Sequence, residues 1–272
     1  MQFTTKKVDT TYLKEKDLLK YFNKDELKNI DYEYDYTDPL FGCKSDNPIP
    51  YPIDVKDLIN LHRAILKRKV FTVLEFGLGY STLVMADALL QHKKIYESLE
   101  VKPHIRCSTM FQLHCVDSNE YWINEFKKKL QCFPELSEVI HITYSTVKVG
   151  TFNDRLCHYY ENLPNVVPHL VYLDAPGTHD VEGDIRNASF NKNCDRTVMS
   201  GDLLFIEPTF LPGMKIIVDG RTNNANFMQN NFQRNYIVEY SEENDVTSFE
   251  LYEKPLGKYN KNMLDYCNLK YT

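Results

Sequence analysis

The sequence predicts a three-layer α/β protein: a mostly parallel seven-stranded sheet, covered on both faces, with a C-terminal antiparallel hairpin. Three observations predict it. From Asp54 onward, short apolar runs alternate with helical patterns, as in parallel strands joined by crossover helices. One run, Val73-Leu74-Glu75-Phe76, leads through Gly77-Leu78-Gly79 into a helix opened by Ser81 and Thr82. The last two runs are separated only by Ser241-Glu242-Glu243-Asn244-Asp245, a connection short enough for a hairpin.

The elements follow in order. Residues 1–55 read as an arm or lid that packs on the core. Within it, Leu13 to Leu27 mixes charged and apolar residues at helical spacing. An acid/tyrosine run at 31–36 and Pro39, Pro48, Pro50 and Pro52 then keep the chain extended. Asp54 caps a helix reaching about Lys69, with Leu58, Ile59, Leu61, Ile65 and Leu66 facing inward. The main domain spans 56–255. Its strands are expected at 72–76, 111–116, 139–144, 170–173, 215–218, 236–240 and 247–252. Helices are expected at 81–91, 120–131 and about 200–206, with residues 93–110 as an inserted loop. Residues 256–272 read as a polar, peripheral tail.

The glycine turn is not a dinucleotide fingerprint. That pattern uses a third glycine for close helix–strand packing, and Thr82 stands in its place. Glu75 would also repel a pyrophosphate in a partly buried site. It suits a cationic or zwitterionic ligand. On these residues the sequence resembles the class I S-adenosylmethionine (SAM)-dependent methyltransferases, whose first motif has the form acid-x-Gly-x-Gly. Their fold is Rossmann-like, a mostly parallel sheet ending in an antiparallel hairpin. The resemblance covers roughly residues 54–253. It implies that Glu75 lies near the methionine end of SAM and that Gly77 and Gly79 give backbone access, with Tyr80, Ser81 and Thr82 alongside. SAM carries a sulfonium and an ammonium and no phosphate. A tight turn without a ligand would account for the glycines equally simply.

An acid ending the second strand of such a unit accepts hydrogen bonds from ribose hydroxyls. Asp117, followed by Ser118, fits. It lies 42 residues past Glu75, and the inserted loop explains a spacing longer than the roughly 20 that is usual after a glycine turn. Asp117, Ser118 and Asn119 are also all good helix caps. Trp122 is a core or adenine-wall residue. The resemblance places Ser145 and Thr146 beside the adenine; a surface turn is the alternative.

Two further strand ends supply the chemistry. One is Leu173-Asp174-Ala175-Pro176-Gly177-Thr178-His179-Asp180, the other Val218-Asp219-Gly220-Arg221-Thr222-Asn223. Methyl transfer to a hydroxyl needs alignment and removal of a proton. His179 is the expected base, because histidine titrates near neutral pH. Asp174 and Asp219 are the expected catalytic acids beside it, Asp174 also touching the cofactor. The other histidines, His158 among them, belong to no comparable cluster in the sequence. Some small-molecule O-methyltransferases hold Mg²⁺ with an acid at the first position and an Asp-Asn pair at the second. Here Gly220 and Arg221 follow Asp219, so no metal is assigned, and Mg²⁺ stays a secondary option. Arg221 and Asn223 are the expected substrate contacts, since a guanidinium pairs with carboxylate or phosphate.

Composition bounds the partners. The 272 residues are 43% hydrophobic and 26% charged, with net charge −6. That suits a globular core and a small-molecule substrate, a sugar or sugar nucleotide for example, rather than nucleic acid. The nucleic-acid methyltransferase tetrad is also missing after Leu173. No apolar stretch approaches the roughly 20 residues of a membrane helix, and the N-terminus lacks a secretory pattern. Seven scattered cysteines without a C-x-x-C fit reduced thiols in a cytoplasmic protein. A homo-oligomer stays open. So do two other functions, an NAD-dependent oxidoreductase and a non-catalytic SAM-binding protein.

Overall fold

The computed structural model describes residues 3–34, 53–177, 180–190 and 198–271. The prolines of the arm and His179 lie outside them. The arm contributes β1 (Phe3–Lys7), α1 (Thr11–Glu15), a 3-10 turn (Leu18–Tyr21), α2 (Lys24–Leu27) and β2 (Tyr32–Tyr34). The main domain opens with α3 (Val55–Arg68), β3 (Thr72–Phe76), α4 (Tyr80–Glu97), β4 (Gln112–Asp117), α5 (Glu120–Leu130), α6 (Pro134–Ser137) and β5 (Ile140–Tyr144). A second group of strands follows: β6 (Val147–Phe152), β7 (Arg155–Tyr160), β8 (Leu170–Leu173), β9 (Val181–Ile185) and β10 (Ala188–Phe190). The chain closes with α7 (Asp202–Ile206), a 3-10 turn (Glu207–Thr209), β11 (Lys215–Asp219), α8 (Thr222–Gln229), β12 (Tyr236–Ser241), β13 (Val246–Leu251) and α9 (Gly257–Cys267).

The large sheet has the order β12-β13-β11-β8-β3-β4-β5. β11, β8, β3, β4 and β5 are parallel. β13 runs antiparallel to both β11 and β12. This is the mostly parallel seven-stranded, Rossmann-like sheet with a C-terminal antiparallel hairpin that the sequence predicts. β3 sits at its centre because every one of its residues, the charged Glu75 included, is buried. One face is covered by α3, α4 and the arm. Asp54 caps α3 through the N–H groups of Lys56 and Asp57. Leu13, Leu18, Tyr21 and Phe22 of the arm join the same core as Leu58, Ile65, Leu83 and Leu89. Asp87 of α4 ties the arm down: it accepts from Tyr21 Oη at 2.6 Å and lies 3.2 Å from His62 Nε2.

The other face departs from expectation. It carries α7 and α8, but also a four-stranded sheet of order β10-β9-β6-β7. Its two hairpins turn through Asn153-Asp154 and Arg186-Asn187, all four at positive φ. That is the backbone of a two-residue hairpin turn, and asparagine and aspartate tolerate it. Residues 93–110 are likewise not all loop, because α4 runs on to Glu97. The tail is not peripheral. Met263, Leu264 and Cys267 of α9 are buried against Phe71 and Phe111. Tyr266 and the carbonyl of Val70 hold the two nitrogens of His92.

Candidate active site

Strand order reverses at β3, with β4 and β5 on one side and β8 and β11 on the other. Loops leaving β3 and β8 therefore diverge, and ligands of open α/β sheets bind in the crevice so formed. Gly77, Asp117 and Asp174 flank this crevice. Gly77 has φ +108°, and a Cβ there would stand 3.2 Å from Ala175 Cβ. Its glycine is required by the chain's own packing. Gly79 is different. Its backbone is extended and a Cβ would meet nothing within 4 Å. The open space before Gly79 has no occupant among the described residues. Two N–H groups of the turn are taken internally: Gly77 donates to Val116 O at 2.9 Å and Gly79 to Thr82 Oγ1 at 2.9 Å. The Cα face of Gly79 is therefore open, next to the start of α4.

Glu75 is 1% exposed. Ser81 Oγ donates to one carboxylate oxygen at 2.6 Å, and Cys115 Sγ lies 3.4 Å from the other. Burial pushes its carboxyl up to about 7, against those hydrogen bonds. Glu75 thus pins Ser81 and the first turn of α4 from beneath. Tyr80 is committed to the arm. Its hydroxyl meets Glu26 and Lys129, and its ring stacks on Phe22 at 5.0 Å.

At the end of β4, Asn119 is the helix cap, accepting from Tyr121 and Trp122 N–H groups. Asp117 is not the cap. One of its oxygens accepts the Asn119 N–H at 2.7 Å. Burial and nearby Asp180 raise its carboxyl to about 6. Ser118 sits between them. Thr146 donates to Glu161 where β6 begins, and Ser145 is buried beneath it.

The ends of β8 and β11 come together as the sequence expects. Arg221 donates to the carbonyls of Pro176 (2.9 Å) and Asp174, and its Nε lies 3.9 Å from the Asp174 carboxylate. The Asp174 side chain is half exposed. Desolvation, with Asp219 and Asp117 nearby, raises its carboxyl against the pull of Arg221. Asp219 accepts from Tyr172 Oη at 2.5 Å. Beside it, between α3 and β11–β13–β12, opens a cavity of about 470 Å³ lined by Asp57, Tyr172, Lys215 and Asp219. Burial and the neighbouring Asp219 push the Asp57 carboxyl well above the usual range. Asn223 is exposed on α8; one residue on, about 100° round the helix, Asn224 is buried and accepts the Ser200 N–H at 2.6 Å. Among the described residues no group of three or more His, Cys, Asp or Glu could hold a metal.

One group escaped the sequence reading. His158 and Tyr160 share a face of β7, both 4% exposed. They meet the Ser200–Asp202 segment: Gly201 donates to His158 O at 2.9 Å, and Tyr160 N–H to Asp202 Oδ1 at 3.0 Å. Tyr160 packs on Phe76, the last residue of β3, at a ring distance of 5.7 Å. The signal was the alternation on either side of Asn153-Asp154, which marks a hairpin and fixes which side chains turn inward.

No family model and no curated protein matches the chain. Solved structures with a similar fold include a Staphylococcus aureus protein provisionally described as a caffeoyl-CoA O-methyltransferase, with 14% identity, coverage of 89% of this chain and 99% of that one, and TM-score 0.44. Another is a Podospora anserina methyltransferase bound to S-adenosylhomocysteine (SAH), at 8% identity, 91% and 90% coverage and TM-score 0.45. A third is a Bacillus cereus O-methyltransferase in complex with SAH, at 11% identity, 73% and 82% coverage and TM-score 0.41.

Proposed function

We propose that the chain is a SAM-dependent methyltransferase that methylates an oxygen of a small hydroxylated molecule. The observation that carries this reading is the open face at Gly79, set at the switch point of the sheet beside Asp117 and Asp174. A nucleoside carrying positive charge and no phosphate suits that setting. Thr82 stands where a dinucleotide site has its third glycine, which disfavours the oxidoreductase.

SAM supplies an electrophilic methyl group on a sulfonium. The chain's residues would hold and orient it. Asp117, through the carboxylate oxygen that the Asn119 N–H does not engage, would accept from the ribose hydroxyls, with Ser118 and Thr146 toward the base. Asp174 would serve the ammonium end. Glu75, Ser81 and Thr82 keep the turn in shape beneath it. Arg221 holds the two loops of the acceptor side together, next to Asp219. No helix among the described residues is long and apolar enough to cross a membrane, and the thiols of Cys107, Cys115, Cys132, Cys157 and Cys267 are free. A reducing, cytoplasmic setting suits them.

Gly79→Val tests the reading. The new side chain fills open space, so the thermal midpoint is expected to stay within a degree or two of wild type. SAH affinity by calorimetry is expected to drop at least about tenfold, or 1.4 kcal/mol. Unchanged SAH affinity in Gly79→Val, or no SAH binding by the wild-type protein, would sink it.

A further inference from the structure

Six buried side-chain polar atoms lack a hydrogen-bond partner among the described residues, and four lie at one corner: His158 Nε2, Tyr160 Oη, Arg221 Nε and Asn224 Nδ2. Buried polar groups are nearly always paired, because an unpaired one costs about 1–3 kcal/mol. Four at one place mark a missing partner. The corner is held by its own backbone. Ser200 N–H donates to Asn224 Oδ1 at 2.6 Å, Ser200 Oγ to Asp202 Oδ2 at 3.1 Å, and His158 N–H to Met199 O at 2.9 Å. Arg221, from the loop after β11, acts electrostatically on both His158 and Tyr160, and on Tyr160 it opposes Asp117, Asp202 and Asp180. Through Phe76 and Arg221 the corner adjoins the crevice at Gly77 and Asp174.

The four atoms have a definite polarity. His158 Nδ1 lies 2.9 Å from the carbonyl oxygen of Val198, which can only accept. Nδ1 therefore carries the proton. Burial and nearby Arg221 keep the ring neutral, with a pKa of about 4, so Nε2 holds a lone pair. Arg221 Nε and Asn224 Nδ2 can only donate, and Tyr160 Oη does either. The complement is one hydroxyl donor next to acceptor oxygens.

We propose that this corner is the acceptor subsite and that it takes an α-hydroxy carboxylate. The substrate hydroxyl donates to His158 Nε2. Its carboxylate accepts from Arg221 Nε and Asn224 Nδ2, and Tyr160 Oη closes the set. The assignment rests on the methyltransferase reading for its role, though not for its binding chemistry.

Glycolate is the smallest probe with this pattern, and acetate lacks only the hydroxyl. Both are titrated into the full chain labelled with ¹⁵N-histidine, and the ring nitrogens of His158 are followed by NMR. Glycolate is expected to shift Nε2 saturably and acetate at least tenfold more weakly. Tyr160→Phe removes only an unpaired hydroxyl. It is expected to fold with an equal or higher thermal midpoint while glycolate affinity falls several-fold. Asn224→Ala gives a second reading of the same loss. SAH calorimetry runs in parallel on each protein. Saturable glycolate binding without SAH binding would leave the subsite standing and remove the methyltransferase. SAH binding with no shift at His158, with glycolate and acetate equal, or with glycolate affinity untouched in Tyr160→Phe would overturn the subsite. So would a glycolate affinity that is lost in Lys215→Ala, which alters the cavity on the opposite face of the sheet, and kept in Asn224→Ala.

Discussion

A carboxylate buried in the middle of a central strand is costly unless it keeps a proton. Glu75 is such a group, with burial raising it to about 7 from an ordinary value of about 4.3. Between those values the folded chain binds a proton that the unfolded chain has released. Stability from this site is therefore full below about pH 4 and declines as pH rises toward 7. Glu75→Gln keeps the shape and an acceptor for Ser81 but removes the ionisation. It is expected to be about 1–3 kcal/mol more stable than wild type at pH 8, relative to their difference at pH 4. Urea unfolding at both pH values measures this. An equal difference at the two would show that Glu75 does not titrate there. Its SAH affinity is expected to stay close to that of the wild type, because the amide oxygen still accepts from Ser81. The opposite sign holds at Asp87. Burial raises it, but the hydrogen bonds from His62, Tyr21 and Gln91 outweigh this and hold its carboxyl below the usual range. That contribution is present above the unfolded pKa and is lost as pH falls through the folded one.

At the scale of elements, α9 shows what an apolar face does in a polar segment. Leu264 is fully buried, and it lies against the turn at Gly213, whose φ is +89°. A Cβ on residue 213 would come within 2.3 Å of Leu264 Cδ2. Leu264→Ala is expected to cost about 2–5 kcal/mol. Gly213→Ala is expected to be destabilising too, but less so in the Leu264→Ala background, because the closest clash is gone and the backbone strain and a 3.2 Å approach to Leu269 Cδ1 remain. A double-mutant cycle reads this as coupling between the sites. Exact additivity would mean that the strain alone governs Gly213. The same helix explains what the sequence hides. Leu170–Leu173 and Thr72–Phe76 are legible because strands buried on both faces are continuous apolar runs. In α9 only Met263, Leu264 and Cys267, with Asn260, are buried among lysines, asparagines and tyrosines. β6 and β7 mix exposed and buried positions, and their turn signal is two ordinary polar residues. His158 is hard to single out in the sequence for that reason, because a histidine gains meaning from the strand that aims it. Gly77, Asp117, Asp174 and Asp219 are legible because each directly follows a strong apolar run.

Across the whole molecule, the ends of the chain are built into the centre. Tyr21 and Leu13 of the arm share the core of α3 and α4, and Tyr21 reaches Asp87. From the other end, Tyr266 meets His92 on the same α4. Both termini therefore brace one helix, the helix whose first turn carries Ser81 and Thr82 beside the crevice. Segments that share a core lose their packing together, so the arm cannot detach without exposing Leu18 and Phe22 and taking the Tyr21 hydroxyl from Asp87. The chain is accordingly expected to melt in one cooperative transition. Trp122 fluorescence, on α5, and far-ultraviolet circular dichroism should give the same midpoint, with the calorimetric enthalpy equal to the van't Hoff value. Saturating SAH should move that single transition upward as a unit, since ligand binds only the folded chain. Asp87→Ala provides the contrast: with Tyr21 and His62 left facing an empty site, the arm is expected to become sensitive to limited proteolysis well below the main midpoint. An early arm transition in the wild-type protein, or an arm in Asp87→Ala that stays resistant to the main transition, would show that the arm is braced by something other than this shared core.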